Sequence, residues 1–78
     1  MVVAGVLIKT EPGATKGVLE AIRGKDAVSY AVAVFGRYDI VATMKDVKDL
    51  DEVAAVVTEA IAKIEGIVST ETLITANI

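Results

Sequence analysis

Phe35-Gly36-Arg37-Tyr38-Asp39-Ile40 lies between two long apolar runs and gathers a glycine, two aromatics and a pair of opposite charges in one short stretch. It reads as the tip of a β-hairpin. Gly36 at the first position of a two-residue loop suits a type II′ turn, because glycine takes the positive φ there without steric cost and the turn twists with its strands. Arg37 is then exposed, and Tyr38 and Asp39 open the returning strand.

Upstream of the tip, Val28, Tyr30, Val32 and Val34 alternate with Ser29, Ala31, Ala33 and Phe35, a strand with one bulky and one small apolar face. Such a strand lies under helices on one side and against another sheet on the other. Downstream, Ile40, Ala42 and Met44 alternate with Val41, Thr43 and Lys45, and Asp46-Val47-Lys48 leads out of this strand.

Asp49 then opens the strongest helix signal, an N-cap acid with Glu52 three residues on, and acids in the first turn suit the helix dipole. Leu50, Val53, Ala54, Val57, Ile61 and Ile64 form a continuous apolar stripe, with Lys63 and Gly66 at its end. From Ile67 to about Ala76 the chain is β-branched: Val68, Thr70, Thr72, Ile74 and Ala76 share one face of a last strand, and Ile67, Ser69, Glu71, Leu73 and Thr75 the other.

At the other end, Val3 to Lys9 is an apolar run of strand length, consistent with a central strand covered on both faces. Thr10-Glu11-Pro12-Gly13 stops it, and from Ala14 the spacing of Ala14, Val18, Ala21 and Ile22 becomes helical until Gly24, which reads as a C′ glycine. Gly17 within this helix costs roughly 1 kcal/mol relative to alanine, so the helix depends on packing.

The order is therefore β-α-β-β-α-β, two βαβ halves joined at the hairpin. Right-handed crossovers put both helices on the same face of a four-stranded antiparallel sheet. The expected fold is α+β and ferredoxin-like, a single domain over residues 1–78. The other sheet face stays bare and largely apolar, which points to a face-to-face dimer.

Composition agrees. The 78 residues are 54% hydrophobic with only three aromatics, more apolar surface than a two-layer monomer of this size hides. A net charge of −3 with scattered Lys and Arg argues against an independent nucleic-acid module. The absence of Cys and His removes disulfides, thiol nucleophiles, imidazole bases and Cys/His metal sites. The apolar N-terminal run lacks a basic region and is too short for a signal peptide or a membrane span. No cofactor or membrane partner is expected, and the cytoplasm is the expected location.

Two readings of the hairpin tip stay open on local chemistry. Gly36 and Asp39 serve a turn for local reasons, or backbone amides near Gly36 meet a ligand carboxylate while Asp39 meets an ammonium or amide group. Thr70 and Thr72 project side by side at i, i+2, although β-propensity alone explains threonine there. Thr10-Glu11-Pro12-Gly13 lacks a phosphate-loop pattern and reads as a turn. Asp46, Asp49, Asp51 and Glu52 could in principle gather a hard cation, but helix capping accounts for them.

The Pro12-Gly13 turn, the Phe35-Gly36-Arg37-Tyr38-Asp39-Ile40-Val41 hairpin, the capped second helix and the closing Ile64-Glu65-Gly66-Ile67-Val68-Ser69-Thr70-Glu71-Thr72-Leu73 occur in an order that resembles the effector-binding (RAM) domain of the Lrp/AsnC transcriptional regulators. The resemblance implies a dimeric α/β barrel, assembly into tetramers or octamers, and amino-acid effectors bound at contacts between dimers. By position, Gly36, Arg37, Tyr38 and Asp39 form the loop side of the pocket, with Asp39 as the ammonium partner, and Thr70 and Thr72 are candidates for the strand side. The chain opens at the first strand with no helix-turn-helix, so it reads as a stand-alone form that co-assembles with full-length regulators and does not contact nucleic acid directly.

Two other functions fit the same fold, since fold does not fix function. One is a small cofactor-free enzyme using Asp39 with Tyr30 or Tyr38. The other is a ligand-free oligomerisation protein.

Overall fold

The computed structural model describes residues 4–44 and 48–74. Val3, Lys45 at the expected end of the third strand, Asp46 and Val47 of the expected exit loop, and Thr75 and Ala76 at the expected end of the last strand lie outside the described residues. The elements are β1 (Ala4–Thr10), α1 (Thr15–Arg23), β2 (Val28–Ala33), β3 (Ile40–Met44), α2 (Leu50–Val56) followed by a π-helical turn (Val57–Ile61), and β4 (Ile67–Ile74). The strands form one sheet in the order β2-β3-β1-β4, and every neighbouring pair is antiparallel. This is the ferredoxin-like β-α-β-β-α-β arrangement.

Pairing register sorts the side chains into rows that cross the sheet. On the helix side run Ala31, Ala42, Val6 and Thr72, and beside them Ala33, Ile40, Ile8 and Thr70. Val6, Ile8, Ile40 and Ala42 are fully buried under Val18 and Ile22 of α1, Val53 of α2 and Ile61 of the π-helical turn. On the opposite side run Val32, Val41, Leu7 and Glu71, and then Tyr30, Thr43, Gly5 and Leu73. Among the described residues no helix covers that side, and Tyr30 and Leu73 are exposed there.

Strict alternation fails at two places, each an irregularity in the ladder. Between Val28 and Tyr30 the register shifts, with Ser29 hydrogen-bonded to Thr43. Val28 therefore turns into the core opposite Met44, while Tyr30 and Val32 face away from it. A strand read by period two places all three together, and a bulge is what separates them. A second shift, at Lys9 and Thr10, pairs Thr10 with Ile67, which packs against the core.

The helices end differently from their sequence signals. Gly24 closes α1 with φ −80, not left-handed, and its N–H bonds to the carbonyls of Glu20 and Ala21. Arg23 ties this end to β2, its guanidinium donating twice to the Ala31 carbonyl at 3.1 and 2.8 Å. Ala21, placed by spacing on the buried stripe, is exposed, and so are Leu50 and Ala54 of α2. Asp49 caps α2 through the Glu52 N–H at 3.0 Å, and the Glu52 carboxylate reaches back to the Lys48 N–H. The last turn of this helix widens, the Ala62 N–H reaching Val57 O at 2.8 Å. Among the described residues no helix is long and apolar enough to cross a membrane.

Gly66 joins the π-helical turn to β4 at φ 101, and a Cβ there would meet the Ala14 Cβ and the Val18 Cγ2 at 3.0 Å. Conformation and space both require glycine. Gly66→Ala is expected to destabilise the domain by about 1–3 kcal/mol, read from the midpoint of urea unfolding. An unchanged midpoint would show that the junction relaxes freely.

Candidate functional site

The last ladder bond of the hairpin runs from the Val34 N–H to Asp39 O at 2.9 Å, leaving Phe35, Gly36, Arg37 and Tyr38 as the loop. The turn is thus wider than a two-residue type II′ turn. Gly36 sits at φ 134, a conformation open to glycine and strained for other residues. Phe35 is fully exposed on this loop, and Arg37 is exposed beside it.

Tyr38 and Asp39 leave the loop toward opposite sides of the sheet. The Tyr38 hydroxyl donates to Glu71 Oε1 at 2.7 Å, on the bare side. Asp39 turns to the helix side, where its Oδ2 accepts from the Thr10 N–H at 2.9 Å and the Thr10 hydroxyl at 3.2 Å. Thr10 Oγ1 lies 2.7 Å from Thr15 Oγ1 at the start of α1. Since the Thr10 proton serves Asp39, the Thr15 hydroxyl is the donor in that pair. The backbone N–H of Asp39 donates to Ile8 O at 2.9 Å, so the hairpin end is stitched to β1 by main chain and side chain together.

Electrostatics follow from these contacts. The Thr10 backbone N–H, then the Lys9 ammonium at 4.0 Å and the Thr10 hydroxyl, hold the Asp39 carboxyl below its usual range, against a smaller opposing effect of desolvation. The hydrogen bond to Glu71 holds the Tyr38 hydroxyl above its usual value. A lowered carboxyl pKa contributes stability that is full above 3.8 and lost as pH falls through the folded value. A raised phenol pKa contributes below 10.0 and is lost as pH rises through the folded value. The acid limb of thermal stability is therefore expected to be shallower in Asp39→Asn, and the alkaline limb shallower in Tyr38→Phe. Thermal melts across pH decide this, and limbs parallel to those of the unaltered protein would contradict it.

A cavity of about 320 Å3 opens between α1 and the hairpin, lined by Thr15, Ala33, Val34, Phe35 and Asp39. A second, of about 440 Å3, lies between β4 and the second helix, with Thr72 and Ile74 on one wall and Leu50, Val53, Ala54, Val57 and Thr58 on the other. Of the residues singled out in the sequence, Asp39 borders the first cavity and Thr72 the second. Thr70, opposite Ile8, sits on the same face of β4 as Thr72. Within one protomer neither threonine lines the cavity that Asp39 borders. Tyr38 and Tyr30 are likewise turned away from Asp39, so the acid–tyrosine pairings considered for a cofactor-free enzyme are not assembled in one protomer. Thr10 and Thr15, the partners that fix Asp39, carry no sequence signal, because the link between Thr10 and Asp39 exists only after β1 and β3 pair.

Fold and cavity define a ferredoxin-like α+β domain whose hairpin borders a small, mostly apolar cavity. Residues 3–77 match the Lrp/AsnC ligand binding domain, and the chain belongs to that family. It is 36% identical over 77 residues to the uncharacterised HTH-type transcriptional regulator PH0140 of Pyrococcus horikoshii, an alignment spanning 99% of this chain and 48% of that one. The chain thus spans about half the length of the curated relative it matches. The crystal structure of TTHA0845 from Thermus thermophilus is 36% identical with a TM-score of 0.91, covering 100% of this chain and 96% of that one. AsnC of E. coli is 26% identical with a TM-score of 0.88, covering 99% and 52%. The chain is accordingly a regulatory effector-binding domain, of a family that serves transcriptional regulators and is not one of enzymes.

Proposed function

We propose that this chain is a non-enzymatic amino-acid sensor that acts through its assembly state in transcriptional regulation. The observation that carries this reading is Asp39, a carboxylate held ionised by Thr10 and Lys9 at the border of the hairpin cavity. An ionised carboxylate beside a small apolar cavity suits the ammonium of an amino acid. Gly36 and Arg37 supply the loop beside it, and Tyr38, turned to the bare side of the sheet, reaches a ligand only across a contact between protomers. Thr70 and Thr72 join the site only across a contact between protomers, consistent with effectors bound between dimers.

The bare sheet face supports a homodimer, and the dimers assemble further into tetramers or octamers. Co-assembly with full-length Lrp/AsnC regulators in the cytoplasm is the route by which a ligand acts, and it needs unequal affinity for two assemblies. Thermal melts against the standard amino acids test the reading. At a hundredfold excess over Kd the right effector stabilises the fold by about 2.7 kcal/mol, a rise in Tm of roughly 10–20 °C. Asp39→Ala is expected to weaken that response. Were no amino acid to raise Tm, or were the variant to respond equally, the sensor reading would be lost.

A further inference from the structure

The apolar stripe that the sequence writes into α2 is only partly used by the core. Val53 and Ile61 are buried, but Leu50 is 59% exposed and Ala54 is exposed as well. With Val57, Thr58, Thr72 and Ile74 these two line the cavity of about 440 Å3 between the second helix and β4. No charged residue lines it. From Leu50 to Thr58 the helical wall runs about 12 Å at 1.5 Å per residue, and Thr72 and Ile74 alternate on one face of β4 about 7 Å apart. The π-helical turn begins at Val57, on this wall, and such turns recur at functional sites.

β4 is also an edge strand, with β1 as its one neighbour, so alternate main-chain groups point out of the sheet. The two edges of the sheet are unequal. β2 carries features that blunt an edge, the irregularity at Ser29 and the Arg23 guanidinium on the Ala31 carbonyl. β4 runs from Ser69 to Ile74 in unbroken register with β1, and among the described residues no side chain hydrogen-bonds to its main chain.

An edge strand beside an apolar groove accepts an extended segment, main-chain bonds giving affinity and the groove taking alternate side chains. Charge indicates which kind of segment. From Asp49 to the end of the chain, Asp49, Asp51, Glu52, Glu59, Glu65 and Glu71 stand against Lys63 as the one base. Asp51 precedes Ala54 by one helical turn and so flanks the groove. A second copy pairing its β4 here would bring two acidic ends together, which like-charge repulsion opposes. A segment with basic flanks meets the opposite sign. The groove is on the helix side, so a homodimer through the bare face leaves it accessible.

We infer that the β4 edge and the adjoining α2 groove bind an extended peptide segment of a partner protein, with aliphatic side chains at alternate positions and lysine or arginine at its flanks, added to the sheet as a further strand. The inference goes beyond the effector reading and does not depend on Asp39.

Fluorescence anisotropy on the whole protein tests it, using a pool of peptides of about nine residues with valine, isoleucine, leucine and threonine in the middle and paired lysines at each end. Members of the pool are expected to bind. N-methylation at alternate residues of a binder is expected to cost at least about tenfold in one phase and little in the other, because one edge of an added strand faces β4 and loses about two or three main-chain bonds. Glutamates in place of the lysines are expected to cost at least about fivefold at low salt, a difference that shrinks as salt screens the charges. Ala54→Arg, which fills the groove and reverses its sign at an exposed helix position, is expected to weaken the lysine peptides at least about tenfold. Leu50→Gln serves if that variant does not fold. Absence of binding by the whole pool, or equal loss in both phases of N-methylation, would overturn strand addition, the latter leaving the groove to apolar groups alone. Equal binding of the acidic and basic peptides would overturn the assignment of basic flanks. A particle mass that falls on Ala54→Arg while peptide binding stays would give the groove to a second copy and overturn the inference.

Discussion

Ile8→Ala removes about 2–5 kcal/mol of stability, against a total of about 4–12 kcal/mol expected for 78 residues. Ile8 is fully buried in β1, an interior strand of the sheet, with Ile40 and Thr70 as its cross-strand neighbours. Truncation leaves a void under the helices that a backbone paired on both sides cannot collapse to fill. The carbonyl of Ile8 also accepts from the Asp39 N–H, so loosening β1 loosens the hairpin. Urea unfolding followed by circular dichroism measures the loss. A change below about 0.5 kcal/mol, the level of an ordinary surface substitution, would mean that the core is not organised around this strand.

Leu7→Lys is expected to convert the proposed homodimer to monomers without unfolding the domain. Leu7 is next to Ile8 in the chain and points the other way, in the row with Val32, Val41 and Glu71. In one protomer no helix among the described residues covers that row. A two-fold interface through it buries Leu7 twice, at about 1.5–3 kcal/mol for each fully buried side chain. Losing both weakens dimerisation on the order of 10²–10⁴-fold, and a buried lysine adds to the cost. Light scattering reports the mass and circular dichroism the fold. A dimer of unchanged mass would show that the bare sheet face is not the interface.

Period and punctuation made the architecture legible. The apolar run from Val3 to Lys9, the capped stripe from Asp49 and the β-branched end from Ile67 are local patterns, and local patterns imply local structure. The hairpin was legible as a position but not as a conformation. Gly36 allows several turns, and the one adopted depends on where Val34 and Asp39 close the ladder. Bulges are harder still. Nothing in Val28-Ser29-Tyr30 marks Ser29 as the extra residue, because a bulge is a relation between two strands, and Thr43 decides it. The π-helical turn at Val57–Ile61 is also unmarked, since its residues carry an ordinary helical stripe.

The candidate site divides the same way. Residue type alone marked Asp39 as a carboxylate beside a turn. That its partners are Thr10 and Thr15 depends on β1 lying beside β3 and on α1 starting where β1 ends. Pairing likewise sent Thr72 to a cavity with the second helix and left Asp39 in another. By itself the sequence determined the element order, the antiparallel ferredoxin-like sheet and the surplus of apolar surface, because periodicity and composition are properties of the chain. Only the tertiary structure decided which residues share a cavity, which face Tyr30 presents and what holds Asp39 in place. Those depend on strand register, where a single bulged residue exchanges one face of the sheet for the other.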